Sequence, residues 1–283
     1  MTVWNRLARR ALVRSTPVGA TGAGRFVMLC YHSVHPTRSF ASATPALFEE
    51  HLQWLGRHCT VLGLREALAR RPWPPSGERP VVCLTFDDGY EDNYQYAFPL
   101  LRTYGLPATF YLVGGFLEKD PDVLRWLGAL RQGSDPFAPL SWAQAREMGD
   151  AGMEMEAHSY SHANLAAVPR ADWVRELPGT KRLLEKRLGR TVVGLAYPFG
   201  KPRRHFNAAV IAAARAAGYR YAVATCSRRV SARDSLFALP RFFVARDSLE
   251  TLRDKVCGGW DRVGAIQQWT PAWVSRRLSG TDF

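Results

Sequence analysis

The chain has 283 residues, 47% of them hydrophobic, enough for one large domain or two small ones and too apolar for general disorder. No apolar run approaches the roughly 18–20 residues that cross a bilayer, which excludes a membrane-spanning helix. The formal net charge of +13 rests on 38 basic residues, 33 of them arginine; that bias is a common mark of base composition. No module interleaves basic and aromatic residues, so no nucleic-acid partner is expected.

In chain order, Trp4, Leu7, Ala8, Ala11 and Leu12 recur at helical spacing with arginines on the opposite face. Arginines also interrupt the apolar stretch that a secretory signal requires. A cytoplasmic protein is therefore expected, and this basic helix offers a peripheral contact at the inner membrane face. The plainer alternative is a short helix packed on the domain, or a tail. Residues 15–24 read as a linker, so 1–24 stand apart from a domain at 25–257, with 258–283 as a C-terminal extension. The oligomeric state is not legible. Cys30, Cys59, Cys83, Cys226 and Cys257 are odd in number and form no CxxC, which suits buried thiols better than a disulfide framework.

From residue 25 onward, apolar strand-like runs alternate with amphipathic stretches. Strands are expected at 26–31, 81–86, 108–113, 153–157, 192–196, 219–224 and 241–244. Helices are expected at 48–58, 64–70, 94–104 (interrupted by Pro99), 141–149, 172–188, 207–217 and 248–256. Ser141-x-x-Gln144 has the pattern of a capping box, and Gly189 suits a helix C-terminus. About seven strand–helix units predict a single-domain α/β fold, a distorted (β/α)7-type barrel with a mostly parallel sheet and helices outside.

Two motifs follow strands. Thr85-Phe86-Asp87-Asp88-Gly89 places adjacent carboxylates after one strand, and His158-Ser159-Tyr160-Ser161-His162 places two imidazoles after another. One carboxylate and two imidazoles can hold a divalent ion and leave positions open for water and substrate. The second carboxylate then stands where a general base is needed. Both motifs fall at strand C-terminal ends, the face on which barrel active sites are assembled.

With these residues the chain resembles the polysaccharide deacetylases of the NodB-homology type, carbohydrate esterase family 4, over roughly residues 25–257. Ala196-Tyr197-Pro198-Phe199-Gly200 is similar to a reduced third motif of that family, in which arginine normally stands where Ala196 does. The resemblance implies hydrolysis of N-acetyl groups from amino sugars, with Asp87 as base and Asp88, His158 and His162 as metal ligands. Zn²⁺ is the first expectation for the metal, with Co²⁺, Ni²⁺ or Fe²⁺ as alternatives. The resemblance also implies an oxyanion contact at the backbone near Phe199, and Tyr197, like Tyr90 and Tyr160, adjoins the motifs as either a sugar contact or an aromatic packed in the core. The family's late Leu-x-His acid is missing, since Leu239-Pro240-Arg241-Phe242 has no histidine. Instead Leu29-Cys30-Tyr31-His32 resembles the start of a circularly permuted branch that includes poly-N-acetylglucosamine deacetylases. His32 is accordingly the candidate acid, with His205 in reserve. Arg241 is either the replacement for the missing arginine or a surface residue. The expected partner is an N-acetylated glycan or glycolipid. The alternatives are an O-acetyl esterase or small-amide hydrolase using the same site, or a degenerate sugar-binding module without activity.

Overall fold

The computed structural model describes residues 25–37, 41–70, 79–130 and 137–260. The basic segment expected at 4–14, the linker after it and most of the C-terminal extension lie outside the described residues. Eleven strands occur among the described residues: β1 (Arg25–Tyr31), β2 (Ser33–Val34), β3 (Ser42–Ala43), β4 (Thr60–Val61), β5 (Val81–Phe86), β6 (Ala108–Leu112), β7 (Glu154–Ala157), β8 (Gly194–Ala196), β9 (Tyr221–Val223), β10 (Val230–Ser231) and β11 (Phe242–Phe243). The main sheet runs β10-β1-β5-β6-β7-β8-β9, with β11 added to β1 and β4 to β5. All its pairings are parallel except β1 with β10. A parallel bridge between Val223 and Leu239 joins β9 to the segment that leads into β11, and β11 pairs β1 at Leu29 and Cys30. The sheet thus curls back on its own first strand, as the strand–helix alternation predicts.

Alternation along each strand sorts side chains between two cores. Val27, Leu29 and Tyr31 join the larger core beneath the helices, as do Val82, Leu84 and Phe86. Phe26 and Met28 join a smaller core with Val81, Cys83, Tyr111, Ala196, Tyr221 and Val223. These residues belong to β1, β5, β6, β8 and β9, so the smaller core is the one enclosed by the curled sheet. Its parity, continued past the last residue of each strand, reaches His32, Asp87 and His158.

The capping box is present in full: Ser141 accepts from the Gln144 amide, and Gln144 accepts from the Ser141 amide. Gly189 closes its helix in the left-handed conformation, with φ of 67°. Pro99 sits in the first turn of the helix Phe98–Thr103, after a π-helical turn at Asn93–Ala97. The helical run 91–103 is continuous, and the wider π-turn lets it pass Pro99, which has no N–H to donate, without a break. Two helices, Gly114–Leu117 and Pro121–Leu130, occupy a stretch whose glycine, aspartate and proline content predicts a loop. No described helix is long and apolar enough to cross a membrane, and the five cysteines are free thiols.

One buried carboxylate completes the sheet where the backbone ladder is short. β7 and β8 share the single registered pair Ala157–Leu195. Glu156, fully buried, accepts from the amides of Val193 at 2.8 Å and Gly194 at 2.6 Å. It also accepts from Arg65 Nε at 2.8 Å and the Tyr221 hydroxyl at 3.1 Å. Glu156→Ala would strand two buried amides and a guanidinium, at a cost of about 3–5 kcal/mol. Urea unfolding should show that loss, with Glu156→Gln intermediate because one acceptor oxygen survives.

Candidate active site

Asp87 and Asp88 follow β5 directly and are both buried. The Asp87 amide donates to the Tyr31 carbonyl at 3.0 Å, which extends the β1–β5 ladder by one bond. Its carboxylate meets Arg241 end to end: Nη1 lies 2.7 Å from Oδ1 and Nη2 lies 2.7 Å from Oδ2. Arg241 has no exposed surface. It also donates from Nη1 to Thr85 Oγ1 at 3.1 Å, and its guanidinium lies 5.3 Å from the Tyr111 ring centroid. The guanidinium that meets Asp87 thus comes from the segment leading into β11, while Ala196 lies in the enclosed core. Arg241 is not a surface residue.

The pair fixes the charge of both partners. Burial by itself would raise the Asp87 pKa, but the Arg241 charge, followed by His158, lowers it to about 2. Burial opposes the charge on Arg241, and Asp87 more than offsets it, so the guanidinium is held above its ordinary value. Cys30 Sγ lies 3.4 Å from Asp87 Oδ2. Burial pushes the Cys30 thiol well above its usual range, so it stays protonated and donates to the carboxylate.

Asp88 turns away from Asp87 toward the imidazoles. Its Oδ1 stands 3.5 Å from His158 Nε2 and 3.4 Å from His162 Nε2, and its Oδ2 accepts from the Tyr90 hydroxyl at 2.5 Å. His158 Nδ1 lies 2.8 Å from the Ala196 carbonyl. That carbonyl can only accept, so Nδ1 carries a proton and Nε2 is the ring atom that faces Asp88, the orientation usual for a metal-ligating histidine. One donor atom from each of Asp88, His158 and His162 lies within 4.8 Å of the others. A carboxylate oxygen and two imidazole nitrogens converging in this way fit a divalent ion.

This convergence needs unusual backbone. Asp88, Ser159, His162 and Phe199 have φ of 77°, 60°, 56° and 60°, a region that costs roughly 1–3 kcal/mol for a residue with a side chain. Such conformations persist where the surroundings over-determine them. Gly89, with φ of 82°, completes the first turn, and a Cβ there would lie 3.0 Å from Leu117.

His32 follows β1 and is half-buried. Its ring packs on Phe243 at 5.2 Å, and its carbonyl accepts from Asn93 Nδ2 at 3.0 Å. Ligand-type atoms of His32, Cys30 and Asp87 lie within 4.8 Å of one another, so the candidate acid stands beside the candidate base. Burial lowers its pKa, with Asp88 and Asp87 acting in the opposite direction. The Phe199 ring packs edge-on against His162 at 4.8 Å. Tyr197 is a correction: its ring is buried and stacked on Phe206 at 4.0 Å, and its hydroxyl donates to the Phe237 carbonyl at 3.1 Å. It belongs to the core beneath the helices because it falls on the opposite parity from Ala196. Tyr160 is tied to Asp120 through its hydroxyl at 3.1 Å. Tyr90, a candidate for sugar stacking in the sequence, instead orients Asp88. His205 lies against the far side of Phe199 at 5.1 Å, and its Nδ1 accepts from the Lys201 amide. Burial, then the charge of Arg204, lowers its pKa to about 4. Cys30 was missed as a site residue, although its place two residues before His32 on the inward parity was legible.

Comparison with known proteins bears on this arrangement. Residues 75–222 match the polysaccharide deacetylase family model. The Bacillus subtilis protein YxkH, itself named after that family, is 27% identical over 77% of this chain and 71% of its own. A poly-β-1,6-N-acetyl-D-glucosamine N-deacetylase of Staphylococcus aureus is 25% identical over 75% of this chain and 70% of its own. Among solved structures, the Streptococcus pyogenes deacetylase PplD, in complex with acetate, superposes with a TM-score of 0.68 at 26% identity, covering 83% of this chain and 99% of that one.

The ion pair makes stability depend on pH in a defined direction. Asp87 has a folded pKa of about 2 against an unfolded value of about 3.9. The pair therefore contributes fully above about pH 4 and is lost as pH falls through about 2. The shift is worth roughly 2–3 kcal/mol. Arg241→Ala, which leaves a buried carboxylate alone, should cost about 3–5 kcal/mol at pH 7. In EDTA-treated protein this deficit should shrink from pH 5 to pH 2 as Asp87 takes up a proton. Urea titrations across that range measure it, and a deficit that does not vary with pH would contradict the pairing.

Proposed function

Because the chain belongs to the polysaccharide deacetylase family, we propose that it is a metal-dependent hydrolase removing N-acetyl groups from amino sugars of a polysaccharide or glycoconjugate. The observation that carries this reading is one rim that joins an Asp88–His158–His162 donor set to an ionised Asp87 held by Arg241. Asp88, His158 and His162 would hold a Zn²⁺-type ion. Such an ion would polarise the acetyl carbonyl and lower the pKa of a bound water to about 7.

The remaining steps belong to the chain's own residues. Asp87, ionised across the neutral range, accepts a proton from the attacking water. A carboxyl group with so low a pKa does not retain a proton to deliver later, so a separate acid is required. His32 lies within 4.8 Å of Asp87, receives that proton and delivers it to the sugar nitrogen as the C–N bond breaks. The products are acetate and a free amine. Arg241 keeps the base oriented and unprotonated. Phe199 walls the ligand side of the site, where a backbone N–H is the proposed oxyanion contact.

An arginine missing at Ala196 would favour a degenerate, non-catalytic module. The Arg241–Asp87 pair removes that ground, because the base has its guanidinium partner after all. The substrate proposed is an N-acetylated glycan or glycolipid, and the poly-β-1,6-N-acetylglucosamine named for the Staphylococcus aureus relatives is of this class. The cytoplasmic location and the peripheral contact at the inner membrane face are proposals resting on the composition of residues 1–24.

The roles separate in a variant series. Asp88→Ala and His158→Ala should lose both stoichiometric metal and acetate release. Asp87→Asn should keep the metal and lose at least 100-fold in turnover, and His32→Gln should do the same. Metal content and acetate release on N-acetylglucosamine oligomers measure both. Full activity in all four variants would sink the assignment, and release from O-acetylated sugars alone would make the protein an esterase.

A further inference from the structure

The two histidine ligands sit on a five-residue turn that the strand alone does not shape. Ser159 and His162 both have positive φ, so a free turn of this sequence would seldom hold both Nε2 atoms toward Asp88. Glu176, from a helix 14 residues beyond His162 in the chain, enters this turn as a buried carboxylate. Its Oε2 accepts from the Tyr160 and Ser161 amides, each at 3.0 Å. Its Oε1 accepts from Ser161 Oγ at 2.8 Å and from Arg175 Nη2 at 3.2 Å. The two amides lie between the ligands in sequence, where β7 has ended and no strand partner reaches them.

The opposite side of the turn is held as well. The amides of Gly114 and Gly115 donate to the carbonyls of Ser159 and Tyr160 at 3.0 and 2.8 Å. A Cβ on Gly115 would stand 2.9 Å from the Tyr160 carbonyl oxygen, so only glycine permits that approach. Glu176 itself lies in a π-helical turn, Arg175–Gly179, that contains Pro178. Proline has no N–H to donate, and the widened turn lets the Thr180 amide bond back to the Arg175 carbonyl.

We propose that Glu176 is a positioning residue that holds the His158–His162 turn in its ligating shape before any ion binds. The proposal rests on the reading of Asp88, His158 and His162 as metal ligands. Glu176 touches neither those ligands nor the reacting atoms. Its effect is to carry part of the ordering cost of the turn in the metal-free protein, so that the ion meets a formed site. Outer partners of metal ligands typically change affinity by about 10–100-fold when removed.

The test uses the full chain, stripped with EDTA, as wild type, Glu176→Leu, Glu176→Gln and Ser161→Ala. Zn²⁺ affinity is measured by competition with a chromophoric chelator, and amide hydrogen exchange at Tyr160 and Ser161 is followed without metal. Glu176→Leu should bind Zn²⁺ about 10–100-fold more weakly and exchange both amides at least about tenfold faster. Glu176→Gln, which keeps an acceptor oxygen for the two amides, should restore both readouts to within about threefold. Ser161→Ala, a milder change that tests the same turn if the leucine variant does not fold, should weaken binding by roughly threefold. Wild-type affinity together with unchanged exchange in Glu176→Leu would overturn the proposal, as would failure of glutamine to rescue. Absence of Zn²⁺ binding by the wild type would instead defeat the ligand assignment, and the exchange data would still decide whether Glu176 holds the turn.

Discussion

A carboxylate and a guanidinium, both buried, face each other through two 2.7 Å hydrogen bonds across the curled sheet. Neither tolerates the interior alone, because an unpaired buried charge costs several kcal/mol. Their union ties the first motif after β5 to the last strand segment, with β1 lying between them in the sheet. It also leaves Asp87 ionised and fixed in direction beside His32. Asp87, its guanidinium partner and the closure of the sheet are therefore one physical arrangement.

Around that pair the site is assembled from strand ends by parity. Residues on the inward side of β1, β5 and β7 include Met28, Cys83 and Glu156, and the same parity continued past each strand end brings His32, Asp87 and His158 to the rim. Strands place side chains but cannot turn three donors onto one point. That task falls to left-handed residues at Asp88, Ser159 and His162, whose strain is balanced by hydrogen bonds from other parts of the chain. Tyr90 fixes the Asp88 carboxylate, the Ala196 carbonyl fixes the His158 tautomer, and Glu176 with Gly114 and Gly115 fixes the turn between the histidines. Rigidity at the rim is thus supplied by helices and loops packed behind it and by the end of β8.

Much of this was legible in the chain. The seven principal parallel strands, the capping box at Ser141 and the Gly189 stop follow from local periodicity and backbone preference. Asp87-Asp88 and His158-x-x-x-His162 carry their chemistry in residues adjacent in sequence. Less legible were Gly114–Leu117 and Pro121–Leu130, where glycine and proline suggest a loop but packing on the larger core and the amide contacts to the histidine turn favour helix. For Tyr197, nearness to a motif in sequence does not mean nearness to the site. One residue along a strand reverses the side chain's direction and sends its ring into the core beneath the helices.

The sequence by itself determined the alternation of strand and helix, the paired-carboxylate and paired-imidazole motifs and the chemistry of which they are capable. It did so because period, turn preference and donor type are properties of neighbouring residues. Only the tertiary structure decided that Arg241, 154 positions from Asp87, is its buried partner, that Ala196 contributes a carbonyl, and that Glu176 supports the turn. Those relations depend on which strand ends the closing sheet brings together, and no local pattern encodes that distance.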